Sequence, residues 1–490
     1  MPTSSVGMVK QLVIASWLLL ICSMRKTKII CTLGPASDSE EKIREIILAG
    51  ANIFRLNMSH ARHDWVRDVV KRVRGVAAEL DINCGILLDT QGPAIRTGDL
   101  PVKLNLKPGQ IFEFTVRGSR SEEEHSVDVN YDGLVNDIHV GDTVLVDNGV
   151  IHMKVLAKDA NRVRCEVLTE GLLGSKRHIN LPGVKVNLPP LTEKDHADIK
   201  LGVSLDVDFV ALSFCREAAD ILELKRVLVE QGSRARTVAK IEDQNAVRFI
   251  KDIIVASDAV MIARGDLGVE CKMEELPIIQ RRIIKKCLEI GRPVIVATHM
   301  LESMIENPIP TRAEITDVAN AVFEQADAVM LSGETATGKY PVECVKVLDR
   351  VARRIALSGG AGYASSAILE TQRQKTVHAA VTLANSLENA KLVLFTREGR
   401  MADEASHLRP ERAPIFAFTP SEEVMRRLTL NWNTHAICLP FGVNPEHNVV
   451  DAEQELHRRG LIVSGDKLII LSDVMFAEER FDSIQIRTIL

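Results

Sequence analysis

The sequence predicts an α/β fold: a (β/α)8 TIM barrel, with a small all-β lid domain inserted into it and an α/β domain at the C-terminal end. Three observations support this prediction. Eight short apolar segments follow Met24, longer amphipathic segments separate several of them, and the pattern changes character twice along the chain. Alternating buried strands and helices imply parallel pairing with right-handed crossovers, and eight such units favour a closed barrel over an open sheet.

Eight segments are the predicted barrel strands, and each has the length of one buried strand. They are residues 28–34, 52–59, 85–90, 208–213, 237–242, 259–264, 293–298 and 328–332. Amphipathic segments that end on glycine lie between some of them, for example the segment that ends at Gly50 and the segment 273–291. We interpret Ser37 and Glu40 as a capping box that begins the first of these helices.

The domain boundaries follow from the changes in pattern. Residues 24–91 and 189–356 are predicted to form the catalytic barrel. Residues 92–188 alternate apolar and polar positions between Gly and Asp turns, which indicates the inserted β-barrel lid. Residues 357–490 contain further strand and helix patterns and are predicted to form a C-terminal α/β regulatory domain. Residues 1–23 are predicted to be an extension outside the fold.

Composition excludes several classes of function. The net charge of −5 and the 4% aromatic content argue against a nucleic-acid partner. The nine cysteines show no metal-binding spacing, which is typical of a reducing cytosol. The apolar run at 13–21 is too short to cross a bilayer comfortably. We therefore expect a cytoplasmic protein with no membrane partner.

Candidate catalytic and metal-binding residues lie at the ends of the predicted strands. The active site of such a barrel is formed at the carboxyl ends of its strands. Glu242 and Asp266 end neighbouring strands and offer the oxygen ligands that Mg²⁺ or Mn²⁺ prefers. Arg55, Arg96 and Lys240 bring cations to the same mouth. Cations beside a divalent metal fit phosphoryl transfer. Taken singly, each of these residues could instead belong to a structural ion pair. In particular, Glu242 and Asp266 could pair with Lys240 and Arg264 without any metal.

The same residues lie in motifs that resemble the pyruvate kinase family, bacterial type. The motifs occur in the family's order from Met24 onwards. They are TKIICTLGPAS, NIFRLNMSHA, LLDTQGPAIRTG, INLPG, LTEKD, DFVALSF, KIED, MIARGDLGVE, ATHMLESM, PTRAEITDVANAV and LSGETATGKYP. The resemblance implies an enzyme of glycolysis that transfers the phosphoryl group of phosphoenolpyruvate to ADP, giving pyruvate and ATP. It also implies a homotetramer.

The resemblance further implies a role for each site residue. Arg55 binds the phosphate of phosphoenolpyruvate, and Lys240 stabilises the transition state. The backbone of Gly265 and Asp266 and the hydroxyl of Thr298 hold the substrate carboxylate. The remaining implied roles are Mg²⁺ binding by Glu242 and Asp266, K⁺ binding by Asn57, Ser59, Asp89 and Thr90, nucleotide binding by Asn57, His60, Arg96, Lys176 and Arg177, and proton relay by Ser332 and Glu334.

The sequence departs from the family pattern at several positions. Ala94 replaces the usual Glu or Lys, which leaves the strictness of the K⁺ requirement open, and His299 replaces the usual Gln. Asn148 stands where the lid often has Asp. The loop 396–401 carries Glu398 and Met401 in place of hydroxyl residues, so we expect weak or absent activation by a sugar bisphosphate.

Two alternatives remain from the residues alone. One is another Mg²⁺-dependent barrel that handles phosphoenolpyruvate or pyruvate, such as an aldolase or lyase. The other is a regulatory barrel without activity. Lys176 and Arg177 argue against the aldolase, which needs no nucleotide clamp. The presence of Lys240, Glu242 and Asp266 argues against an inactive barrel.

Overall fold

Eight parallel strands close into a barrel in the computed structural model, which describes residues 25–476 and 479–490. The strands are β1 (Lys28–Thr32), β2 (Ile53–Asn57), β3 (Gly85–Asp89), β4 (Phe209–Leu212), β5 (Arg236–Ile241), β6 (Ala259–Ala263), β7 (Val294–Ala297) and β8 (Ala328–Leu331). Each pairs with its neighbours in sequence, and β8 pairs with β1. The predicted fold class is thus confirmed, whereas the predicted extension 1–23 lies outside the described residues.

Helices cover the outside of the barrel. They are Glu40–Ala49, His63–Leu80, Glu193–Ser204, Ala218–Glu230, Gln244–Arg248, Ile250–Ala256, Arg264–Glu270, Leu276–Ile290, Arg312–Phe323, Gly333–Ala336 and Pro341–Ala356. Thr192 and Thr311 each begin a helix with a complete capping box. The predicted capping box at Ser37 is wrong: Ser39 caps the first helix by accepting from the Lys42 amide, and Ser37 bonds to Gly34 instead.

The barrel strands bury both faces, which explains their nearly continuous apolar sequences. On β5, Val238 points into the barrel interior, where it packs in one cluster with Phe209 and Met261. Ala239 and Ile241, on the opposite face, pack in the layer between strands and helices. The residues of β5 at even positions therefore face the barrel interior. Lys240 and Glu242 belong to this set and lie at the mouth, because they come at the carboxyl end of the strand.

A separate small β region lies between β3 and β4. Its strands are Leu104–Leu106, Ile111–Thr115, Ser126–Asp128, Thr143–Val146, Ile151–Lys158, Arg162–Val167, Gly171–Leu173 and Ile179–Asn180, with one short helix, Leu134–Asp137. It has its own core, in which the fully buried rings of Phe112 and Phe114 meet edge to face, with centroids 5.0 Å apart. Buried and exposed positions alternate at the start of Ile151–Lys158, as expected for a half-buried antiparallel strand.

The C-terminal region forms a five-stranded sheet. Its strands are Ala390–Phe395, Ile415–Thr419, Thr434–Cys438, Lys467–Phe476 and Glu479–Thr488, and its helices are Gln372–Ser386, Arg400–His407, Glu422–Arg427 and Pro445–Arg458. The first four strands are parallel neighbours, whereas Glu479–Thr488 pairs antiparallel with Lys467–Phe476. The sequence patterns above did not predict this last strand.

Buried ion pairs join the C-terminal region to the amino ends of the barrel strands. The Arg409 guanidinium lies 2.6 Å from the carboxylate of Asp327, and the exposed fractions of the two side chains are 3% and 1%. Arg409 also stacks over the ring of Trp432. The Lys28 ammonium donates to the carbonyl of Thr434 from a fully buried position. These contacts hold the barrel end that lies opposite the predicted active site.

Candidate active site

Lys240 lies at the centre of the barrel mouth. Its ammonium nitrogen is 2.8 Å from the hydroxyl of Ser213, 2.9 Å from Glu242 Oε1 and 3.2 Å from Asp89 Oδ1. Burial by itself lowers the pKa of Lys240, but the charges of Asp89 and Glu242 outweigh it and raise that pKa above its ordinary value. Lys240 is therefore a fixed cation at neutral pH, suited to stabilising negative charge rather than to accepting a proton.

Arg55 shares a carboxylate with Lys240. Arg55 Nε donates to Asp89 Oδ2 over 2.6 Å, and its Nη1 donates to the hydroxyl of Thr32 over 3.1 Å. Burial by itself raises the pKa of Asp89, yet Lys240 and Arg55 together lower it, so Asp89 is ionised. Two cations thus converge on one buried carboxylate. Arg55 keeps further guanidinium donors, whereas the three N–H donors of Lys240 already face Ser213, Asp89 and Glu242.

Glu242 directly follows β5, whereas Asp266 lies in the first turn of the helix Arg264–Glu270, which follows β6. Glu242 accepts from the Lys240 ammonium and from the Phe214 amide, at 2.6 Å. Within the described residues, the carboxylate of Asp266 has no hydrogen bond or ion pair. Burial raises the pKa of Glu242, Lys240 opposes the rise, and the like charge of Asp266 adds to it. Two crowded carboxylates of this kind fit a divalent cation, whose charge would relieve their repulsion.

The donor set also indicates the kind of metal. No group of three or more His, Cys, Asp or Glu residues in the described part of the chain could enclose an ion. Mg²⁺ commonly binds through one or two carboxylates and completes its coordination with water and substrate oxygens. A site with two carboxylates therefore suits Mg²⁺ or Mn²⁺ shared with a substrate better than a structural zinc.

Arg264 does not take part in this group of charges. Its guanidinium lies 2.6 Å from Asp317 and donates to the carbonyl of Thr298. An ion pair between Arg264 and Asp266, which was one alternative to a metal site, is therefore not formed. Arg264 instead fixes the loop after β7, where Thr298 and His299 both adopt left-handed backbone angles.

Gly265 and Thr298 lie together but bond to one another. The Gly265 amide donates to the hydroxyl of Thr298, which in turn donates to the carbonyl of Ala297, and both distances are 2.6 Å. To hold a substrate carboxylate, the Gly265 amide would have to donate to the ligand instead of to Thr298, and the Thr298 hydroxyl would have to donate to the ligand instead of to Ala297. The left-handed φ of 68° at Thr298 is a strained conformation for a β-branched residue and is typical of functional sites.

Ser332 and Glu334 follow β8. Glu334 is buried, and its two carboxylate oxygens accept from the amides of Leu301 and Ser332 at 3.1 and 2.7 Å. The Ser332 hydroxyl is buried and has no hydrogen-bond partner among the described residues. An unsatisfied buried hydroxyl at a barrel mouth calls for a functional explanation.

The predicted K⁺ ligands lie at the ends of β2 and β3. Asn57 and Asp89 are partners in the register of these strands, and the Asn57 side chain accepts from the Ser59 amide. Thr90 lies beside them, and its hydroxyl accepts from the Ser213 amide at 3.2 Å. Asp89 already contacts two cations, Lys240 and Arg55, so its charge lies between the predicted K⁺ and phosphate positions.

The predicted nucleotide residues lie at the boundary between the barrel and the small β region. Arg96 is exposed, and its Nη1 donates to the carbonyl of Lys176. The ammonium of Lys176 is 3.5 Å from Asp99, and Arg177 is 3.3 Å from Asp147. His60 is exposed at the end of β2. Arg96 therefore lies beside the two basic residues Lys176 and Arg177, and each of these two has an acidic residue nearby.

The residues that depart from the family pattern have local explanations. Asp147 and Asn148 both have left-handed φ angles, of 56° and 55°, in the turn between two antiparallel strands, and Asn suits such a turn. His299 is exposed and lies 3.6 Å from Glu302. In the loop after Phe395, Arg400 lies 2.7 Å from Glu398.

Sequence reasoning missed three contributors to the site. Thr32 ends β1 and contacts Arg55, although no role was assigned to the first strand. Ser213 bridges Lys240 to the carbonyl of Thr90, and its position at a strand end was the available signal. Glu270 is the last residue of the motif MIARGDLGVE, and it accepts from the Asn180 side chain at 2.9 Å. This bond joins the helix that carries Asp266 to the last strand of the inserted region.

Comparison with known proteins identifies the family. A family model described as pyruvate kinase, barrel domain, matches residues 24–345, and one described as pyruvate kinase, alpha/beta domain, matches residues 374–486. The chain belongs to the pyruvate kinase family. It is accordingly a phosphotransferase of the pyruvate kinase type, as the sequence predicted, and the aldolase or lyase alternative is set aside. The pyruvate kinase family generally needs a divalent metal and potassium.

Similar proteins come from plants, bacteria and a protozoan. Plastidial pyruvate kinase 3 of Arabidopsis thaliana is 42% identical over 477 residues, covering 95% of this chain and 82% of that protein. The pyruvate kinase of Geobacillus stearothermophilus is 41% identical over 467 residues, covering 93% and 78%. A crystal structure of a pyruvate kinase from Cryptosporidium parvum has a TM-score of 0.90 at 33% identity, covering 95% and 97%. Across the described residues, no helix is long and apolar enough to span a membrane.

Proposed function

We propose that Lys240 and Arg55 carry the transfer of the phosphoryl group from phosphoenolpyruvate to ADP. The observation that supports this most strongly is the position of the Lys240 ammonium, between Ser213, Asp89 and Glu242, with Arg55 on the other oxygen of Asp89. Two cations held this way are organised before the substrate arrives, so they need little rearrangement as charge develops.

In the reaction, the bond between phosphorus and the enol oxygen breaks, and a bond forms to a terminal phosphate oxygen of ADP. Arg55 binds the phosphoryl oxygens, and Lys240 stabilises charge between the phosphoryl group and the enol oxygen. Glu242 and Asp266 would hold Mg²⁺ or Mn²⁺, which supplies charge neutralisation for the phosphate and carboxylate oxygens. Gly265 and Thr298 position the substrate carboxylate.

The second half of the reaction protonates the enolate at carbon, and we assign this step to Ser332. Glu334 holds two backbone amides, so it is better suited to positioning the loop than to giving up a proton. The Ser332 hydroxyl has no hydrogen-bond partner among the described residues, so it is available to relay a proton: it gives its proton to the enolate carbon and takes another from water. This refines the relay implied by the resemblance, in which both residues take part.

The inserted region 92–188 is proposed to act as a lid that brings ADP to the mouth. Arg96, Lys176 and Arg177 contact its phosphates, with Asn57 and His60 on the nucleotide side of the barrel. Asn57, Ser59, Asp89 and Thr90 would hold K⁺, which would supply positive charge near the transferred group. Closure of the lid excludes water, which would otherwise compete with ADP for the phosphoryl group.

Assembly and regulation are also proposed. We expect a cytoplasmic homotetramer, to be tested by sedimentation equilibrium of the purified chain. We expect weak or absent activation by fructose 1,6-bisphosphate, because Glu398 places a carboxylate in the loop 396–401. A titration of steady-state rate with this ligand tests the expectation, and strong activation would contradict it.

The main test is a coupled assay for pyruvate formed from phosphoenolpyruvate and ADP, with Mg²⁺ or Mn²⁺ and with K⁺ present or replaced by Na⁺. Lys240→Met should lower kcat by about two to three orders of magnitude, since it removes a preorganised charge. Lys285→Met is the matched control, because Lys285 is exposed on the helix Leu276–Ile290, and it should leave the rate unchanged. Absence of pyruvate with either divalent metal would overturn the proposal.

A further inference from the structure

Phe214 lies between the inserted region and one of the two predicted metal carboxylates. It comes two positions after β4, and its backbone amide donates to Glu242 Oε2 over 2.6 Å. Its φ angle of 54° is left-handed, which is an outlier for a bulky residue and is common at functional sites. Such a backbone conformation persists only where the surrounding contacts maintain it.

Those contacts come from both chain segments that connect the barrel to the inserted region. Where the chain leaves the barrel, a Cβ atom added at Gly92 would lie 2.9 Å from Phe214 Cδ2, so the Gly92 backbone packs directly against the ring. Where the chain returns, the His178 imidazole lies against the same ring, with centroids 5.6 Å apart and planes inclined by 54°. The Phe214 ring therefore contacts both connecting segments.

His178 belongs to the inserted region through its backbone. Its carbonyl accepts from the Asp147 amide over 3.0 Å, and it pairs with Arg96 in an isolated antiparallel bridge. Across residues 25–476 and 479–490, its imidazole forms no hydrogen bond and no ion pair. Burial and the charge of Arg96 lower the pKa of His178, against the opposing charge of Asp266, so the imidazole is neutral at neutral pH. Its contact with Phe214 is therefore the packing of one ring on another.

The Phe214 amide restrains one of the two oxygens of Glu242. The other oxygen accepts from the Lys240 ammonium over 2.9 Å. A hydrogen bond from a fixed amide orients a carboxylate and favours its ionised form, which is the form that binds a cation. Displacement of the Phe214 backbone would remove this restraint. The orientation of Glu242 thus depends on how Phe214 packs against the inserted region.

We propose that His178 and Phe214 are positioning residues, through which the inserted region orients Glu242 for the divalent cation. His178 packs on Phe214, and Phe214 donates to Glu242, so two contacts lead from the inserted region to the carboxylate. The inference rests on the proposed function, in which Glu242 helps to hold Mg²⁺ or Mn²⁺. It gives the inserted region a role in organising the metal site, in addition to bringing ADP to the mouth.

The test is Mn²⁺ binding to the full chain without substrates, followed through the electron paramagnetic resonance signal of the free ion. His178→Ala removes the ring and should weaken Mn²⁺ binding by about threefold to tenfold, the range expected for the loss of an aromatic contact. His178→Phe should restore the affinity to within about twofold of the unmodified chain, because a second aromatic ring can pack on Phe214.

Hydrogen exchange at the Phe214 amide is a second measurement, and it needs no metal. His178→Ala should accelerate exchange at this amide, because the hydrogen bond to Glu242 opens more often, while exchange in β5 stays unchanged. His178→Phe should restore the protection of the Phe214 amide. A purely structural role of His178 would instead change exchange in the barrel strands as a whole.

His139→Ala is the matched control, since it makes the same change at an exposed histidine of the inserted region, 3.7 Å from Asp142. It should bind Mn²⁺ as the unmodified chain does. The inference is overturned if His178→Ala leaves either the Mn²⁺ affinity or the Phe214 exchange unchanged. It is also overturned if His178→Phe binds as weakly as His178→Ala, or if His139→Ala weakens binding to the same extent.

Glu242→Gln separates this inference from the function on which it rests. Loss of the Glu242 carboxylate should weaken Mn²⁺ binding more than His178→Ala does. If Glu242→Gln binds Mn²⁺ as the unmodified chain does, the proposed metal site is wrong and the inference fails with it. If Glu242→Gln loses binding and the unmodified chain forms pyruvate, while His178→Ala keeps its full Mn²⁺ affinity, only the inference fails.

Discussion

Replacement of Glu270 by Gln should stabilise the protein at high pH and have little effect at low pH. Glu270 is buried and accepts a hydrogen bond from the Asn180 side chain. Burial raises the pKa of Glu270 from 4.5 to about 7. The bond from Asn180 opposes this rise, whereas Asp243 and Asp266 add to it. A Gln side chain resembles the protonated acid, because it carries no charge and its amide oxygen can still accept from Asn180.

The magnitude follows from the pKa difference between the folded and unfolded states. A pKa that is higher in the folded protein means that protonation of Glu270 stabilises the fold, fully so below pH 4.5. That contribution is lost as the pH rises through about 7. A shift from 4.5 to about 7 corresponds to about 3 kcal/mol at most, at about 1.4 kcal/mol for each pKa unit. Glu270→Gln should therefore gain about 2 kcal/mol relative to the unmodified chain between about pH 5 and about pH 8.

The assay is urea denaturation of both proteins at about pH 5 and about pH 8, compared as the change in the free energy of unfolding. Any cost of burying the amide is the same at both pH values, so the difference between them isolates the titration of Glu270. Glu274→Gln is the matched control, because Glu274 is exposed in the following turn, and it should show no such pH dependence. If Glu270→Gln changed stability equally at both pH values, the reasoning about its pKa would be refuted.

Three further predictions concern the junction, the proton step and the lid. Arg409→Met should destabilise the protein by about 3 to 5 kcal/mol in urea denaturation, since it leaves the Asp327 carboxylate buried without its cation, whereas Arg44→Met, at an exposed pair, should change stability far less. Ser332→Ala should slow the exchange of pyruvate methyl protons with deuterated water, followed by NMR, more than it slows phosphoryl transfer; equal slowing of both would argue against its proposed role. Phe112→Ala should destabilise the inserted region by about 3 to 5 kcal/mol and accelerate hydrogen exchange in the strand Ile151–Lys158, while exchange in the barrel strands stays unchanged.

The barrel was predictable because its strands have both faces buried and differ sharply from the helices around them. The strand Glu479–Thr488 was not predicted, because charged and polar residues interrupt the apolar positions of its sequence, ERFDSIQIRT. Its place at the edge of the sheet explains why such a sequence is tolerated there, since an edge strand pairs on one side only. The first helix was predicted correctly and its cap was not, because Ser37 and Ser39 both offer hydroxyls and only the backbone geometry selects Ser39.

The residues of the site were predictable from their positions at strand ends, whereas their partners were not. The proximity of Arg55 and Lys240 to the same Asp89 depends on strand pairing around the barrel, which places β2, β3, β4 and β5 side by side. A linear sequence does not give the direction in which a long side chain turns. For the same reason, Arg264 could not be assigned in advance to Asp317 rather than to Asp266.

Strand β5 provides a physical link between the two ends of the barrel. Arg236, at its start, bonds to Asp403 in the C-terminal region, and Lys240 and Glu242, at its end, form an ion pair at the barrel mouth. All three residues lie at even positions and so on the same side of the strand. Arg236 and Lys240 are about 13 Å apart along the strand, at about 3.3 Å per residue. A change in the C-terminal region that moved Arg236 would act on the strand that positions Lys240, because Arg236 and Lys240 belong to the same strand. The Arg236–Asp403 bond therefore connects the C-terminal region directly to the strand that carries Lys240.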